Sequence, residues 1–147
     1  MTTNEFLEAT TNCTFFKVSP ANYISENVVR ERVVCKDGFV ISIQASEYHY
    51  CEPRISQGYL DNKLYFVEGW SQQGYIEKFI PYKSVELGFP SVAEEDILDY
   101  AEDPNEPTDT VYGYVPVEIV DKMLEKHGGI DIAATRKLDE QENAKTV

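Results

Sequence analysis

Hydrophobic and polar residues alternate most regularly between residues 39 and 46. One set of alternate positions is apolar and consists of Phe39, Ile41, Ile43 and Ala45. The other set is mostly polar and consists of Val40, Ser42, Gln44 and Ser46. A period of two predicts a strand that packs on one face. Because residues 28–35 are rich in β-branched side chains and residues 36–38 can form a turn, the pattern predicts a β-hairpin.

Shorter apolar stretches predict further elements along the chain. Residues 64–68 and 75–80 are expected to form a second hairpin, and residues 84–88 a short strand that ends at Gly88-Phe89-Pro90. Residues 4–11 are expected to form a short N-terminal helix. A helical turn is expected over 94–100, and the prolines of segment 104–107 predict a rigid loop.

The best helical pattern runs from Pro116 to His127. Its apolar face consists of Val117, Val120, Met123 and Leu124, with His127 on the same side. Pro116 suits a first turn, and Gly128-Gly129 supplies a left-handed stop. The polar residues 136–147 are expected to be a disordered tail. The sequence therefore predicts a single α+β domain over 1–135, with a small antiparallel sheet, a short N-terminal helix and one C-terminal amphipathic helix.

Composition and cysteine content suggest a compartment. The chain has 147 residues, of which 42% are hydrophobic, which is typical of a globular protein with its own core. No apolar run approaches the roughly 20 residues that span a bilayer, and residues 1–6 lack the features of a signal peptide. Cys13, Cys35 and Cys51 are an odd number, so reduced thiols are expected. We expect a cytosolic protein that does not bind a membrane.

The charge is strongly acidic and unevenly distributed. The net charge is −13, and no Lys or Arg lies between Lys83 and Lys122, where eleven acidic residues occur. Such a field repels phosphate, so direct nucleic-acid binding is not expected. The acidic stretch over 86–121 is interpreted either as a solvated surface or as a face that mimics nucleic acid and occupies a basic cleft on a partner.

Metal and catalytic interpretations of residues 48–51 are weak. His49 and Cys51 are soft ligands, which Cys35 and His127 could complete, but the paired spacing of structural zinc sites is absent. A Cys51 nucleophile would need a base and an oxyanion site that the sequence does not display. No nucleophile elbow or phosphate-binding glycine loop occurs. We therefore expect no metal, no cofactor and no catalytic residue.

Ligand binding fits the chemistry better. Several tyrosines and Phe89 offer flat faces for stacking on a ring. Arg54, beside Pro53, can hold a phosphate or carboxylate, and Arg30 is a second conspicuous cation. Polar side chains on the proline-fixed loop can hydrogen-bond a sugar. The candidate ligand-binding residues are Tyr48, His49, Tyr50, Arg54, Phe89, Asn105, Thr108, Tyr112 and Tyr114.

Three stretches within residues 38–130 are the basis of a resemblance to a family of proteins. They are Ser42–Ser46 with His49–Arg54, Val85–Ser91, and Tyr100–Pro104 leading into Thr110–Glu118 and His127–Gly129. In order and residue choice they resemble a family of small proteins encoded by bacteriophages and prophages. In that family a shorter loop joins the first stretch to the second. Residues 55–84 intervene here, so the 64–80 hairpin is expected to be an elaboration.

Small acidic phage proteins of this size often counter bacterial immunity by binding. Among them, the chain is similar in size, α+β character and lack of a catalytic signature to the anti-Thoeris protein that sequesters cyclic ADP-ribose isomers. This resemblance implies a nucleotide-derived ligand with an adenine to stack and phosphates to hold, in a pocket that is often at a subunit boundary. It implies a homo-oligomer in the host-cell cytosol that depletes an immune signal without turnover. The alternative is an acidic inhibitor that binds a host defence protein or nucleic-acid-binding protein directly.

Overall fold

An antiparallel sheet of four strands, in the order β1–β2–β3–β4, organises the chain. The structure is a computed structural model that describes residues 1–10, 30–46, 48–54 and 81–145. The strands are β1 (Val33–Val34), β2 (Val40–Gln44), β3 (Ser84–Gly88) and β4 (Val111–Pro116). The helices are α1 (Thr3–Ala9), a 3₁₀ helix (Glu95–Tyr100), α2 (Val117–Lys126) and α3 (Ile132–Lys145). The predicted α+β class, with a small antiparallel sheet and helices at both ends, is confirmed.

The predicted first hairpin forms around residues 36–38. Val33 pairs with Ile41, and Val34 pairs with Val40. Asp37 Oδ1 accepts a hydrogen bond from the Phe39 N–H at 2.9 Å, and Gly38 has a φ of +94°. The predicted second hairpin, over 64–68 and 75–80, lies outside the described residues.

The apolar face of the sheet forms a single buried cluster with the helices. All four apolar positions of the alternating segment are buried, as predicted: Phe39, Ile41, Ile43 and Ala45. Ile43 lies opposite Leu87, which lies opposite Tyr112, so these side chains share one face. Phe6 and Leu7 of α1 and the predicted apolar face of α2 join the same cluster.

Arg30 anchors α1 to the sheet. Its side chain is 5% exposed and donates to the Ala45 carbonyl at 2.7 Å and the Leu7 carbonyl at 3.3 Å. The backbone of Arg30 also exchanges two hydrogen bonds with the side-chain amide of Gln44. A buried guanidinium needs such a shell of acceptors because its desolvation is costly. Arg30 is therefore a structural cation and not a surface cation for ligand capture.

The C-terminal helix predicted over 116–127 is present as α2. Pro116 is its N-cap and also the last residue of β4. The helix ends as predicted, since Gly128 and Gly129 have φ values of +87° and +86°. The Gly129 N–H donates to the Leu124 carbonyl at 2.8 Å, which satisfies a carbonyl at the helix end.

The C-terminal segment differs from the expected disordered tail over 136–147, because α3 extends to Lys145. Asp131 precedes the helix and accepts a hydrogen bond from the Ala134 N–H at 3.0 Å. Thr135 is 2% exposed, and its hydroxyl bonds both backbone groups of Val34. Docking on β1 stabilises a segment whose weak apolar pattern does not predict a packed helix. No helix among the described residues is both long and apolar enough to cross a bilayer.

The two glycines after α2 allow a matched test of backbone strain. Gly129→Ala should lower the free energy of unfolding by about 1–2 kcal/mol, because alanine is strained at positive φ. Gly128→Ala should cost more, since its Cβ would also lie 3.2 Å from Lys36 Cβ. Gly88→Ala is the control, because a Cβ there meets only ordinary contacts at 3.7 and 3.8 Å. Urea unfolding measures all three, and equal losses would contradict the assignment.

Candidate ligand-binding site

The segment that carries the predicted site leaves the sheet after β2 and returns to it. Gln44 pairs with Glu86 of β3. The chain pairs with β3 again at Glu52, which forms an isolated antiparallel bridge with Ser84. Glu52 donates to the Ser84 carbonyl at 3.1 Å and accepts from the Ser84 N–H at 3.2 Å. Residues 45–51 therefore interrupt the pairing with β3, and we call them the insertion.

A β-bulge in β4 meets the insertion. Leu87 pairs with Tyr112 and Val85 pairs with Val115, so β4 has one more residue than β3 between these pairs. Tyr114 adopts a φ of +54°, which is unusual for a bulky residue. Its N–H donates to the Tyr50 carbonyl at 3.0 Å. Gly113 permits the approach, because a Cβ there would lie 3.3 Å from Tyr50 Cβ.

This arrangement brings together Tyr50, Arg54 and Tyr114, which we call the tyrosine–arginine cluster. Arg54 Nη2 donates to Tyr114 Oη at 2.7 Å. Arg54 Cζ lies 5.5 Å from the ring centroid of Tyr50 and 5.9 Å from that of Tyr114. The two ring centroids are 5.9 Å apart, and the rings are 47% and 43% exposed. The cluster presents two accessible aromatic faces with a guanidinium between them.

Arg54 carries a charge that no described residue compensates by an ion pair. None of the salt bridges among the described residues includes Arg54, although it lies close in sequence to Glu52. The nearest described carboxylate of β3, that of Glu86, instead accepts a hydrogen bond from the Tyr50 N–H at 3.3 Å. Arg54 is therefore an exposed cation in a protein of net charge −13, and it is held by aromatic rings.

His49 and Cys51 both contact Ser46, and among the described residues no hydrogen bond joins their side chains to each other. His49 Nδ1 lies 2.6 Å from Ser46 Oγ, and Cys51 Sγ donates to the Ser46 carbonyl at 3.2 Å. Burial lowers the pKa of His49 and raises the pKa of Cys51, so the neutral forms are favoured. Among the described residues, no group of three or more His, Cys, Asp or Glu is arranged to hold a metal ion.

The remaining predicted site residues do not join the cluster. Contrary to the prediction, Tyr112 does not offer its ring to a ligand, because the residue is 0% exposed and its hydroxyl donates to the Pro107 carbonyl. Phe89 is 46% exposed but lies at the other end of β3, where its N–H donates to the Thr110 carbonyl. Tyr48 is exposed. Within the described residues no hydrogen bond, ion pair or ring contact joins it to the tyrosine–arginine cluster.

Asn105 and Thr108 are also separate from the cluster. Both are exposed on a loop that packs beside the start of β4, where the Glu102 N–H donates to the Val111 carbonyl at 2.9 Å. Tyr114 lies three residues further along, or about 10 Å at the rise of a strand. The single pocket expected from the sequence is thus divided, and only its strand-end part is assembled among the described residues.

A second polar cluster surrounds His127, a residue that the sequence places on a helix face and in the weak metal hypothesis. Its Nδ1 lies 2.6 Å from Asp37 Oδ2, and its Nε2 contacts Glu94 Oε1. The ring stacks on Phe39 with centroids 4.0 Å apart. Glu94 is 4% exposed, and its other oxygen accepts from Lys126 Nζ at 2.8 Å. No local signal reveals this cluster, because its members come from three distant segments.

Both ring nitrogens of His127 face carboxylates, which favours the imidazolium. Burial opposes this charge, but hydrogen bonds to Asp37 and Glu94 outweigh it and raise the pKa of His127. The pKa of Asp37 is lowered, first by the hydrogen bond from the Phe39 backbone and then by His127. The cluster therefore links the β1–β2 turn to the end of α2 through charge-assisted hydrogen bonds.

Comparison of the chain with protein-family models, curated proteins and solved structures gives no match.

The His127 cluster predicts a pH dependence of stability. A folded-state pKa above the unfolded value of 6.5 means that the stabilisation is complete below pH 6.5 and is lost as the pH rises through the raised value. The other histidine, His49, has a lowered pKa, so its stabilisation is lost only on acidification. Urea unfolding from about pH 6 to about pH 8 should therefore show declining stability. The decline should be weaker in His127→Gln, and an unchanged slope in that variant would contradict the assignment.

Proposed function

We propose that this protein binds and sequesters a small anionic ligand that carries an aromatic ring, at the tyrosine–arginine cluster and without turnover. The observation that carries the proposal is Arg54, an exposed cation between two exposed tyrosine rings, with no ion-pair partner among the described residues. A guanidinium bound in this way can take a phosphate or carboxylate, while a base stacks on a neighbouring ring.

The geometry supports binding in two further ways. Tyr114 is held at positive φ by the bulge and by the Tyr50 carbonyl, and strained residues of this kind cluster at binding sites. The cluster is thereby arranged before a ligand arrives, which reduces the entropy lost on binding. The thiol of Cys51, which follows Tyr50 in the chain, is buried with a raised pKa, so it is poorly suited to nucleophilic attack.

The ligand class in this proposal is a cyclic nucleotide-derived immune signal of the cyclic ADP-ribose type. This part rests on the resemblance of the sequence motifs to phage proteins, and on the similarity in size, α+β character and lack of a catalytic signature to the anti-Thoeris sponge. The setting would be the cytosol of a bacterial host, where depletion of the signal blocks its effector by mass action. A site as exposed as this one would be closed most simply by a second copy of the chain, as a homo-oligomer.

Arg54→Ala tests the proposal directly. It should weaken binding of cyclic ADP-ribose isomers by at least about tenfold, because a charge-assisted hydrogen bond contributes about 1.5–3 kcal/mol. The melting temperature should be nearly unchanged, since Arg54 is exposed. Isothermal titration calorimetry measures the affinity, and mass spectrometry of the heat-released ligand should recover it intact.

Arg136→Ala is the matched control, because Arg136 is exposed on α3, which packs on the opposite edge strand β1. It makes the same charge change and should leave binding unaffected. A folded Arg54→Ala variant with full affinity would remove this residue from the site. Recovery of a cleaved ligand would replace sequestration by an enzymatic function.

A second candidate function is supported by the acidic segment, which we define as residues 95–109. Seven of its side chains are exposed carboxylates: Glu95, Asp96, Asp99, Glu102, Asp103, Glu106 and Asp109. The segment is held in place by the backbone hydrogen bond from Glu102 to Val111 of β4 and by the hydrogen bond from the Tyr112 hydroxyl to the Pro107 carbonyl. A fixed array of this charge suits a basic cleft on a host defence or nucleic-acid-binding protein.

This candidate is distinguished by its salt and charge dependence. Reversal of Glu102, Asp103 and Glu106 to lysine should slow association with a captured host partner and reduce its salt dependence. Surface plasmon resonance at several salt concentrations measures both quantities. Reversal of three exposed acidic residues outside the segment, Glu118, Glu125 and Glu140, is the control. A complex with unchanged association rates in both variants would exclude the acidic segment as the contact surface.

A further inference from the structure

A buried hydroxyl that has no hydrogen-bond partner among the described residues lies on the sheet beside the proposed site. Ser84 is 7% exposed, and its Oγ has no hydrogen-bond partner among the described residues. It is the one buried side-chain polar atom of the described part in this condition. Unsatisfied buried groups are rare in native proteins because they lose their hydration without replacement. A ligand bound at a neighbouring site can supply the missing hydrogen-bond partner of such an atom.

The register of the sheet places Ser84 between the parts of the tyrosine–arginine cluster. Ser84 pairs with Glu52 on one side and with Pro116 of β4 on the other. Tyr50 and Arg54 lie two residues before and after Glu52, and Tyr114 lies two residues before Pro116. Each member of the cluster therefore lies two residues along the chain from a residue that pairs with Ser84.

The same face of β3 carries an acceptor. Glu86 lies two residues after Ser84, so both side chains project from one face of the strand. This is the face that meets the insertion, because the Glu86 carboxylate accepts a hydrogen bond from the Tyr50 N–H. A hydroxyl that can donate or accept thus lies beside a carboxylate that accepts only. A sugar hydroxyl, which also donates and accepts, complements this pair.

We infer that Ser84 Oγ hydrogen-bonds a sugar hydroxyl of the ligand, with Glu86 as the second acceptor. This inference rests on the proposed function and deepens it. A free phosphate would engage Arg54 alone, and an aromatic acid would engage Arg54 and a tyrosine ring. A ligand that also satisfies Ser84 has a sugar between its ring and its phosphate, which makes it a nucleoside phosphate.

Ser84→Ala tests this inference with two probes, cyclic ADP-ribose and inorganic pyrophosphate. The variant should bind cyclic ADP-ribose about tenfold more weakly, the loss typical of one hydrogen bond to a buried group. It should bind pyrophosphate as the wild type does, since pyrophosphate has no sugar hydroxyl. Its melting temperature without ligand should not fall, because no protein hydrogen bond of the described residues is lost.

Ser42→Ala is the matched control. Ser42 lies on the same face of the neighbouring strand β2, opposite Gly88, and its Oγ accepts a hydrogen bond from Gln44 Nε2 at 3.0 Å. Because its hydroxyl has a protein partner and is farther from the cluster, this variant should retain its affinity for both probes.

The outcomes separate the two proposals. If Arg54→Ala weakens cyclic ADP-ribose binding and Ser84→Ala does not, the role of Ser84 is refuted and the proposed function stands. A lower melting temperature with unchanged affinity in Ser84→Ala would identify a structural water as its partner and would likewise refute it. If the wild-type protein binds neither cyclic ADP-ribose nor pyrophosphate, both proposals fail.

Discussion

The hydrogen bond from the Tyr114 N–H to the Tyr50 carbonyl joins the two irregular segments on which the site depends. The bulge in β4 frees this N–H from the ladder with β3, and the insertion supplies the acceptor. With the two backbones tied together, the tyrosine rings lie close enough for Arg54 to contact both. Without the bulge, the N–H would pair within the sheet, and the insertion would have no fixed position over β4.

The cost of this arrangement is local strain. A tyrosine at positive φ is less stable than in a regular strand by about 1–2 kcal/mol. The hydrogen bond from the Tyr114 N–H to the Tyr50 carbonyl offsets part of this cost. Phe89, at the far end of β3, has a similar φ of +51°. Tyr114, in the edge strand β4, and Phe89, just after the central strand β3, both expose their aromatic rings.

Charged groups support the scaffold from positions away from the cluster. Arg30 ties α1 to β2 by hydrogen bonds to backbone carbonyls. His127 ties the β1–β2 turn to α2 and, through the buried carboxylate of Glu94, to the beginning of the acidic segment. These contacts hold the segments that flank the sheet, so the sheet can carry an irregular edge. Arg54, by contrast, lies on the described surface between two aromatic rings.

Local pattern in the sequence is sufficient for the hairpin at residues 36–38, the strand 84–88 and the helix α2, which ends before Gly128. Each depends on residues within a few positions of one another, as periodicity and turn chemistry do. The sequence also indicates that Tyr50, Arg54 and Tyr114 are suited to binding a ligand, because aromatic and charged side chains at a strand end suggest a binding site. Their assembly into one cluster was expected, although in a larger group that included Tyr112.

Tertiary pairing decided the rest. Tyr112 and Tyr114 look equivalent in the sequence, but the bulge places one ring in the core and the other outside. The helix α3 forms where a polar tail was expected because Thr135 bonds Val34, which is 101 residues away. His127 meets Asp37 across 90 residues. Contacts between such distant segments arise from strand register and helix docking, and no local pattern specifies either, so only the folded chain shows which side chains share a site.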